Sequence, residues 1–309
     1  MRIKISMLLA VAIGLSAPAL ATWTTPVPVT EVNLETGCDG GPFLSFDRLT
    51  LYFSRWDTDE FYYGRIYRAT RDIPSGPFTL VTEVSELNRP ATHVLGAWVS
   101  PDNLRMYYHI ESSSGWDLMF TERSGVGDLW PQGISVSELN VLGTYLQLPR
   151  LTPDELTIFF NARNMAGGEG QHDLWMATRA DTHSPFGNVR NLSDINTGAN
   201  EAHAFPSLDG LELYFASDRN GEFQAFKASR ESLDDPFGSI EHLVFLDTAG
   251  GYTGGPALSS DGTAIYFVRQ GGGARTPDIY VSYIPEPGTF LLLGVGAVVF
   301  WNKRSQGTA

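Results

Sequence analysis

Five aspartates stand in near-regular register along this sequence: Asp47, Asp102, Asp154, Asp209 and Asp261, spaced 55, 52, 55 and 52 residues apart. A carboxylate can serve as general base, nucleophile or metal ligand, so a repeated one invites a chemical reading. The neighbours of each aspartate point to geometry instead. A hydroxyl residue lies two positions before it (Ser45, Ser100, Thr152, Ser207, Ser259) and an apolar residue four positions after it (Leu51, Met106, Ile158, Leu213, Ile265), with two aromatic residues following every time. Aspartate in a tight turn bonds its own backbone amides, and a nearby Ser or Thr joins that network. Five copies in five separate units cannot share one reaction centre, so these aspartates read as structural. Chemistry has to come from positions where the copies differ.

Those positions are found by counting from each turn aspartate. Nine residues before it the sequence reads Cys38, His93, Tyr145, Asn200 and Tyr252, and one residue later Asp39, Val94, Leu146, Glu201 and Thr253. His203 lies just beyond Glu201, and the loops opposite carry Trp56, Trp116, Arg219 and Arg269. Aromatic rings mixed with acids and arginines suit a sugar or a peptide, because rings stack on apolar faces while polar groups fix orientation. His93, Tyr145, Glu201, His203, Tyr252, Trp56, Trp116, Arg219 and Arg269 are therefore the binding candidates. Asp39 and Glu201, the only acids at their position, are the pair a glycoside hydrolase would need. Asp57, Asp59 and Glu60 lack the glycine and distal glutamate of a calcium loop. His93, His172 and His203 come from different units and loop types, so no metal or cofactor is expected.

A repeat near fifty residues means a propeller or a solenoid. After the two aromatics each unit offers a further short strand, a turn with proline and an aromatic (Pro77-Phe78, Trp130-Pro131, Pro185-Phe186, Pro236-Phe237), and a fourth strand such as Val84–Asn88 or Val136–Asn140. Four strands make a propeller blade. The fifth unit stops near Tyr283 without a fourth strand, and Pro26–Asn33 reads as the missing one. The expectation is an all-β fold, a five-bladed β-propeller of four-stranded antiparallel blades, closed by an N-terminal strand joining the last blade. The phrases Ser207-Leu208-Asp209-Gly210 and Ser217-Asp218-Arg219-Asn220-Gly221 resemble the TolB-type propeller repeat, with partial matches at Ser100-Pro101-Asp102 and Ser259-Ser260-Asp261-Gly262. That resemblance leaves six blades as the alternative count.

The two ends read as addresses. Arg2 and Lys4, the apolar run Met7 to Leu15 and the triplet Ala19-Leu20-Ala21 form a secretory signal over residues 1–21. At the other end Pro285-Glu286-Pro287 precedes an apolar run from Phe290 to Trp301 and then Lys303 and Arg304. Twelve apolar or glycine positions fall short of the roughly twenty that span a bilayer comfortably, so membrane anchoring there is expected to be transient. These elements resemble the PEP-CTERM sorting signal, which implies recognition by an exosortase-type enzyme in the envelope of a Gram-negative bacterium. The expected layout is a signal peptide over 1–21, a propeller over 22–283, a sorting signal over 284–304 and a tail over 305–309, with short helices at both targeting ends.

Removing Arg2, Lys4, Glu286, Lys303 and Arg304 takes the net charge from −14 to −17. Such a body repels nucleic acid and anionic lipid. The single cysteine, Cys38, excludes an internal disulfide. The sequence thus points to an exported, envelope-sorted, non-enzymatic binding propeller, handled by secretion machinery and an exosortase, whose partner is an extracellular glycan or protein. A glycoside hydrolase-like propeller and a structural spacer in an extracellular matrix are the alternatives.

Overall fold

The computed structural model describes residues 22–35, 37–57, 63–113, 115–271 and 276–284. The two targeting ends, with Pro285, Glu286, Pro287, Lys303, Arg304 and the helices expected there, lie outside the described residues. Residues Trp23–Tyr283 form one compact unit.

Five four-stranded antiparallel sheets make up that unit. The first blade runs β2 (Gly37–Leu44), β3 (Thr50–Asp57), β4 (Arg65–Thr70) and β5 (Leu80–Glu83). The second holds β6 (Val94–Val99), β7 (Arg105–Ser112), β8 (Gly115–Glu122) and β9 (Ile134–Ser135), and the third β10 (Thr144–Leu151), β11 (Thr157–Arg163), β12 (His172–Thr178) and β13 (Gly187–Asn191). The fourth holds β14 (Glu201–Pro206), β15 (Glu212–Ser217), β16 (Gln224–Ser229) and β17 (Gly238–His242). The last blade has β18 (Tyr252–Leu258), β19 (Ala264–Gln270) and β20 (Asp278–Tyr283), and its fourth strand is β1 (Val27–Pro28) from the start of the chain. Thr24 N donates to Tyr283 O at 2.7 Å and Val29 N to Ile279 O at 2.9 Å, so no blade is left with a missing outer strand.

Each first strand leads into the turn that carries the repeated aspartate. In all five blades the hydroxyl two residues earlier donates to the aspartate Oδ1 at 2.6 Å. The same oxygen accepts from the backbone N–H two residues on, at 3.0–3.2 Å. The residue after the aspartate is left-handed in every copy, from φ 59° at Asn103 to 70° at Gly262. Its carbonyl is then captured by an arginine at the end of the third strand: Arg71 on Arg48 at 2.8 Å, Arg123 on Asn103 at 2.9 Å, Arg179 on Glu155 at 2.8 Å and Arg230 on Gly210 at 2.9 Å. Seven residues further along, Phe78, Trp130, Phe186 or Phe237 lies under the same guanidinium, 4.0–4.7 Å from ring centre to Cζ. One arginine thereby pins the loop to the outer strand against the inner hairpin.

The turn hydroxyl has a measurable share in this. Ser207 Oγ donates to Asp209 and accepts from Glu212 N at 2.9 Å. Ser207→Ala removes both bonds at a buried site and is expected to cost about 1–2 kcal/mol. Urea unfolding checks this through a lower midpoint at unchanged slope.

The segments expected as fourth strands sit one step beyond them. Val84–Asn88 and Val136–Asn140 are tight turns that follow β5 and β9, the second containing a single helical turn, α1 (Ser137–Asn140). The reason is the closing asparagine, whose side-chain amide completes the sheet in place of backbone. Asn88 accepts from Ile66 N at 3.0 Å and donates to Ile66 O at 3.1 Å. Asn140 does the same with Leu118, Asn196 with Leu174 and Asn33 with Ile279.

The paired aromatics of each second strand point to opposite faces of the blade and fill the spaces between blades. Tyr52, Tyr107, Tyr108 and Phe160 belong to the largest apolar cluster, while Phe53 and Tyr266 pack where the last blade meets the first.

Candidate functional site

The five first strands line the central channel, and each carries a β-bulge at the same place. Six residues before the turn aspartate the backbone is left-handed in every blade: Gly41 (φ 56°), Gly96 (70°), Leu148 (53°), His203 (59°) and Gly255 (60°). Three of the five are glycine, the residue that adopts this conformation without strain.

Below the bulges the channel is plugged. Phe43, Trp98 and Phe205 converge from three blades, with Phe43 6.0 Å from Trp98 and 6.3 Å from Phe205. At the equivalent position of the third blade stands Arg150, buried, its guanidinium 5.8 Å from the Phe43 ring. It donates to the carbonyls of Pro149 (3.0 Å), Gly96 and Ala97 (3.1 Å each) and Gly41 (3.3 Å). Carbonyls alone, with no carboxylate, thus receive the cation's two Nη groups, and burial brings its pKa down to about 9.

Above the plug, on the end away from the aspartate turns, the channel opens into a cavity of about 340 Å³. Cys38, Asp39, Ser54, Trp56, His109, Gln147, Leu148, His203, Tyr252 and Gln270 contribute to its wall. Ser54 Oγ accepts from Gly96 N at 3.0 Å, and His109 Nδ1 accepts from Leu148 N at 3.3 Å, the same link between successive blades made by two residue types. Accepting at Nδ1 places the His109 proton on Nε2. Burial, and then the Arg150 charge, push His109 down to about 3 and His203 to about 4, so both imidazoles are neutral at pH 7. Burial likewise lifts the Tyr252 phenol to about 12.

Of the sequence candidates, Trp56, His203, Tyr252 and Asp39 come together at this mouth. His93 and Trp116 form a second layer behind it: Trp116 lies 5.1 Å from His109 and 5.5 Å from His93, and His93 Nδ1 accepts from Gly64 N at 2.8 Å. Tyr145 sits apart, under the Arg163 guanidinium at 5.6 Å. His109, Ser54, Gln147 and Leu148 line the cavity without having been singled out from sequence.

The two carboxylates are spent elsewhere. Asp39 is buried and receives Arg55 Nε at 2.7 Å and Nη2 at 3.1 Å; burial still raises its pKa above the ordinary value. Glu201 is wholly buried and accepts from Thr197 Oγ1 and Ser217 Oγ at 2.8 Å, Thr197 N at 3.0 Å and Arg219 Nη2 at 3.2 Å. In the second and third blades the same slot holds Val94 and Leu146, both buried in the apolar core. The position is thus a packing slot that two blades fill with an ion pair.

Arg219 and Arg269 share this architecture with Arg55. Arg219 lies between Phe215 (5.3 Å) and Phe226 (5.0 Å) and donates to Ile195 O at 2.8 Å. Arg269 lies between Phe267 (5.3 Å) and Tyr280 (5.0 Å) and donates to Leu246 O through Nε at 3.1 Å. Arg55 lies over Phe53 and Tyr67, both at 5.0 Å, and donates to Val32 O. Each guanidinium fastens the turn after an outer strand to its blade. Among the described residues no three His, Cys, Asp or Glu side chains gather as a metal site.

Residues 284–304 match the model of the PEP-CTERM protein-sorting motif. The tail is a PEP-CTERM sorting signal. The motif implies export and sorting to the envelope, with recognition by an exosortase. No curated protein sequence matches the chain. Among solved structures the propeller is similar to the putative TolB from Agrobacterium tumefaciens, 14% identical, over 79% of this chain and 76% of that one, with a TM-score of 0.50. It is also similar to the α-L-arabinofuranosidase PaAbf62A from Podospora anserina, solved in complex with cellotriose, 12% identical over 84% and 96% of the two chains, TM-score 0.53. TolB from Acinetobacter baumannii is 17% identical over 83% of this chain, which spans 53% of that protein, TM-score 0.44. At these identities the likeness is one of fold, shared by non-enzymatic and enzymatic propellers alike.

Proposed function

We propose that the protein is an exported, non-enzymatic binding propeller that takes a glycan or peptide at the open end of its channel, with the PEP-CTERM tail directing it to the cell surface or the extracellular matrix. One observation carries this reading. The 340 Å³ mouth presents two aromatic side chains, Trp56 and Tyr252, beside neutral hydrogen-bonding groups, while the one carboxylate among the described residues of its wall, Asp39, is held by Arg55. Rings supply stacking area and uncharged polar groups supply orientation, the division of labour expected of a recognition site. A hydrolase would need one carboxyl free to protonate a leaving group and a second to activate water or attack. Asp39 and Glu201 are each committed to an arginine, so the chemistry has no available acid in that pair. The layout supporting this proposal is a leader over 1–21, the propeller over 22–283 and the sorting segment over 284–304.

A glycan and peptide array on the purified propeller tests it. Binding is expected, with Trp56→Ala and Tyr252→Ala each weakening it about tenfold or more, as the loss of a stacking platform would. A blank array would favour a rigid spacer. Turnover of an arrayed glycoside that stops on Glu201→Gln would restore the hydrolase.

A further inference from the structure

The bulge ring offers five equivalent positions that differ in one informative way. Gly41, Gly96 and Gly255 hold the left-handed backbone at no steric cost, whereas Leu148 and His203 hold it with a Cβ. Leu148 is repaid by packing. Its Cδ2 would lie 3.0 Å from a Cβ on Gly96 and 3.7 Å from one on Gly41, so it fills the space those glycines leave open. His203 fills the space beside Gly255 in the same way, its Nδ1 3.4 Å from where a Cβ would stand, but it brings polar ring nitrogens that Leu148 lacks. Among the described residues no group hydrogen-bonds its imidazole, and the ring stands at the cavity wall beside Gly255. A strained residue whose ring nitrogens have no protein partner among the described residues, placed where three siblings are glycine, marks a functional demand.

The surroundings specify what kind of ligand meets it. The nearest cation, Arg150, donates to four backbone carbonyls, and Asp39 is held by Arg55. Among the described residues an anionic ligand would find no free guanidinium and a cationic one no free carboxylate, so either would lose its hydration without compensation. Gln147, Ser54 and the phenol of Tyr252 complete a wall of uncharged donors and acceptors. We infer that His203 is the specificity-determining residue of the channel mouth, and that its ligand is the uncharged, hydroxyl-bearing end of a sugar chain. This rests on the mouth being the binding site proposed above.

The test uses the full propeller, an array of neutral and uronic-acid-bearing oligosaccharides, and calorimetry with the strongest neutral binder. His203→Gly installs the residue that three blades already carry, so its Tm is expected to stay level or rise, while affinity falls about tenfold or more. His203→Asn, which tolerates the left-handed backbone and keeps a donor and an acceptor, is expected to hold affinity within about threefold. A clear drop in Tm for His203→Gly would make the imidazole a packing element and overturn the inference. So would undiminished affinity in that variant, or a wild-type preference for uronates; in both cases glycan recognition itself would stand. A wild-type protein that binds no oligosaccharide on the array overturns the inference and the glycan half of the proposed function, leaving a peptide ligand to the peptide array above.

Discussion

Replacing Arg150 by alanine is expected to lower the stability of the propeller by about 3–5 kcal/mol, the range reached when buried polar groups are left unpaired. Four carbonyls from the first three blades share this guanidinium as donor: Gly41, Gly96, Ala97 and Pro149. They are inner-strand groups at the bulges, where the ladder is interrupted. Water can enter the void and recover part of the loss, which sets the lower end of the range. Arg150→Met keeps much of the volume but none of the donors, and is expected to fall nearly as far. Arg150→Lys restores a charge on a single nitrogen and should recover only part. Thermal unfolding reads the series as a shift on the order of 10 °C for alanine. A loss under about 1 kcal/mol for both alanine and methionine would mean that the plug is held by Phe43, Trp98 and Phe205 alone.

Acid lability is the second large effect. His109 and His203 have folded-state pKa values of about 3 and about 4, below the ordinary 6.5. The unfolded chain therefore takes up protons first as pH falls. Their contribution is complete above about pH 6.5 and is lost as pH drops through 6.5 toward the folded values. At pH 5.5 each imidazole costs about 1.4 kcal/mol relative to neutral solution, about 3 kcal/mol for the two. Carboxylates held up by burial, Asp39 and Asp278, act with the opposite sign, as pH falls from their raised values toward the ordinary 3.8. The measurement is the urea midpoint from pH 7.5 to 5 in wild type and in His109→Asn. Asparagine stands buried at this position in the third blade (Asn161), so the variant removes the titration with a side chain that another blade already accommodates there. Parallel pH profiles in the two proteins would assign the lability to other groups.

The blade count, the closing strand and the role of the turn aspartates were all legible because a repeat reports its own geometry five times. The Ser–Asp turn, the apolar column and the paired aromatics each recur at a fixed offset, and a fixed offset from a hairpin means a fixed place in a blade. Arg71, Arg123, Arg179 and Arg230 keep an equally strict spacing of seven residues from Phe78, Trp130, Phe186 and Phe237. That column was readable in principle, but charged residues at strand ends ordinarily signal nothing beyond solvent. The fourth strands were misplaced by a few residues because Asn88 and Asn140 imitate backbone, and a side chain that completes a sheet looks like strand sequence.

The mouth was harder to read for a different reason. Offsets locate a residue along a strand, yet at a bulge two residues face one, and the alternation that tells inside from outside is broken. Asp39 and Glu201 fall just before that break and turn out to occupy a packing slot that is apolar in the second and third blades. His109 comes from a second strand, where its neighbours Tyr107, Tyr108 and Ile110 make it look like one more core position. Only the structure brings it across from His203.

The clasp between β1 and β20 has a consequence for the life of the chain before it is native. Thr24 bonds Tyr283, and Asn33 bonds Ile279, across separations of 259 and 246 residues. The first propeller strand to be synthesised thus waits for the last, and no shorter length of the chain contains a complete ring. Contacts this distant form late, because the entropy of closing so large a loop must be met before they give anything back. A nascent chain cannot lock into its final topology until Tyr283 has left the ribosome. Up to that point its leading end stays unpaired and threadable, the condition a polypeptide must keep if it is to pass through a narrow membrane pore.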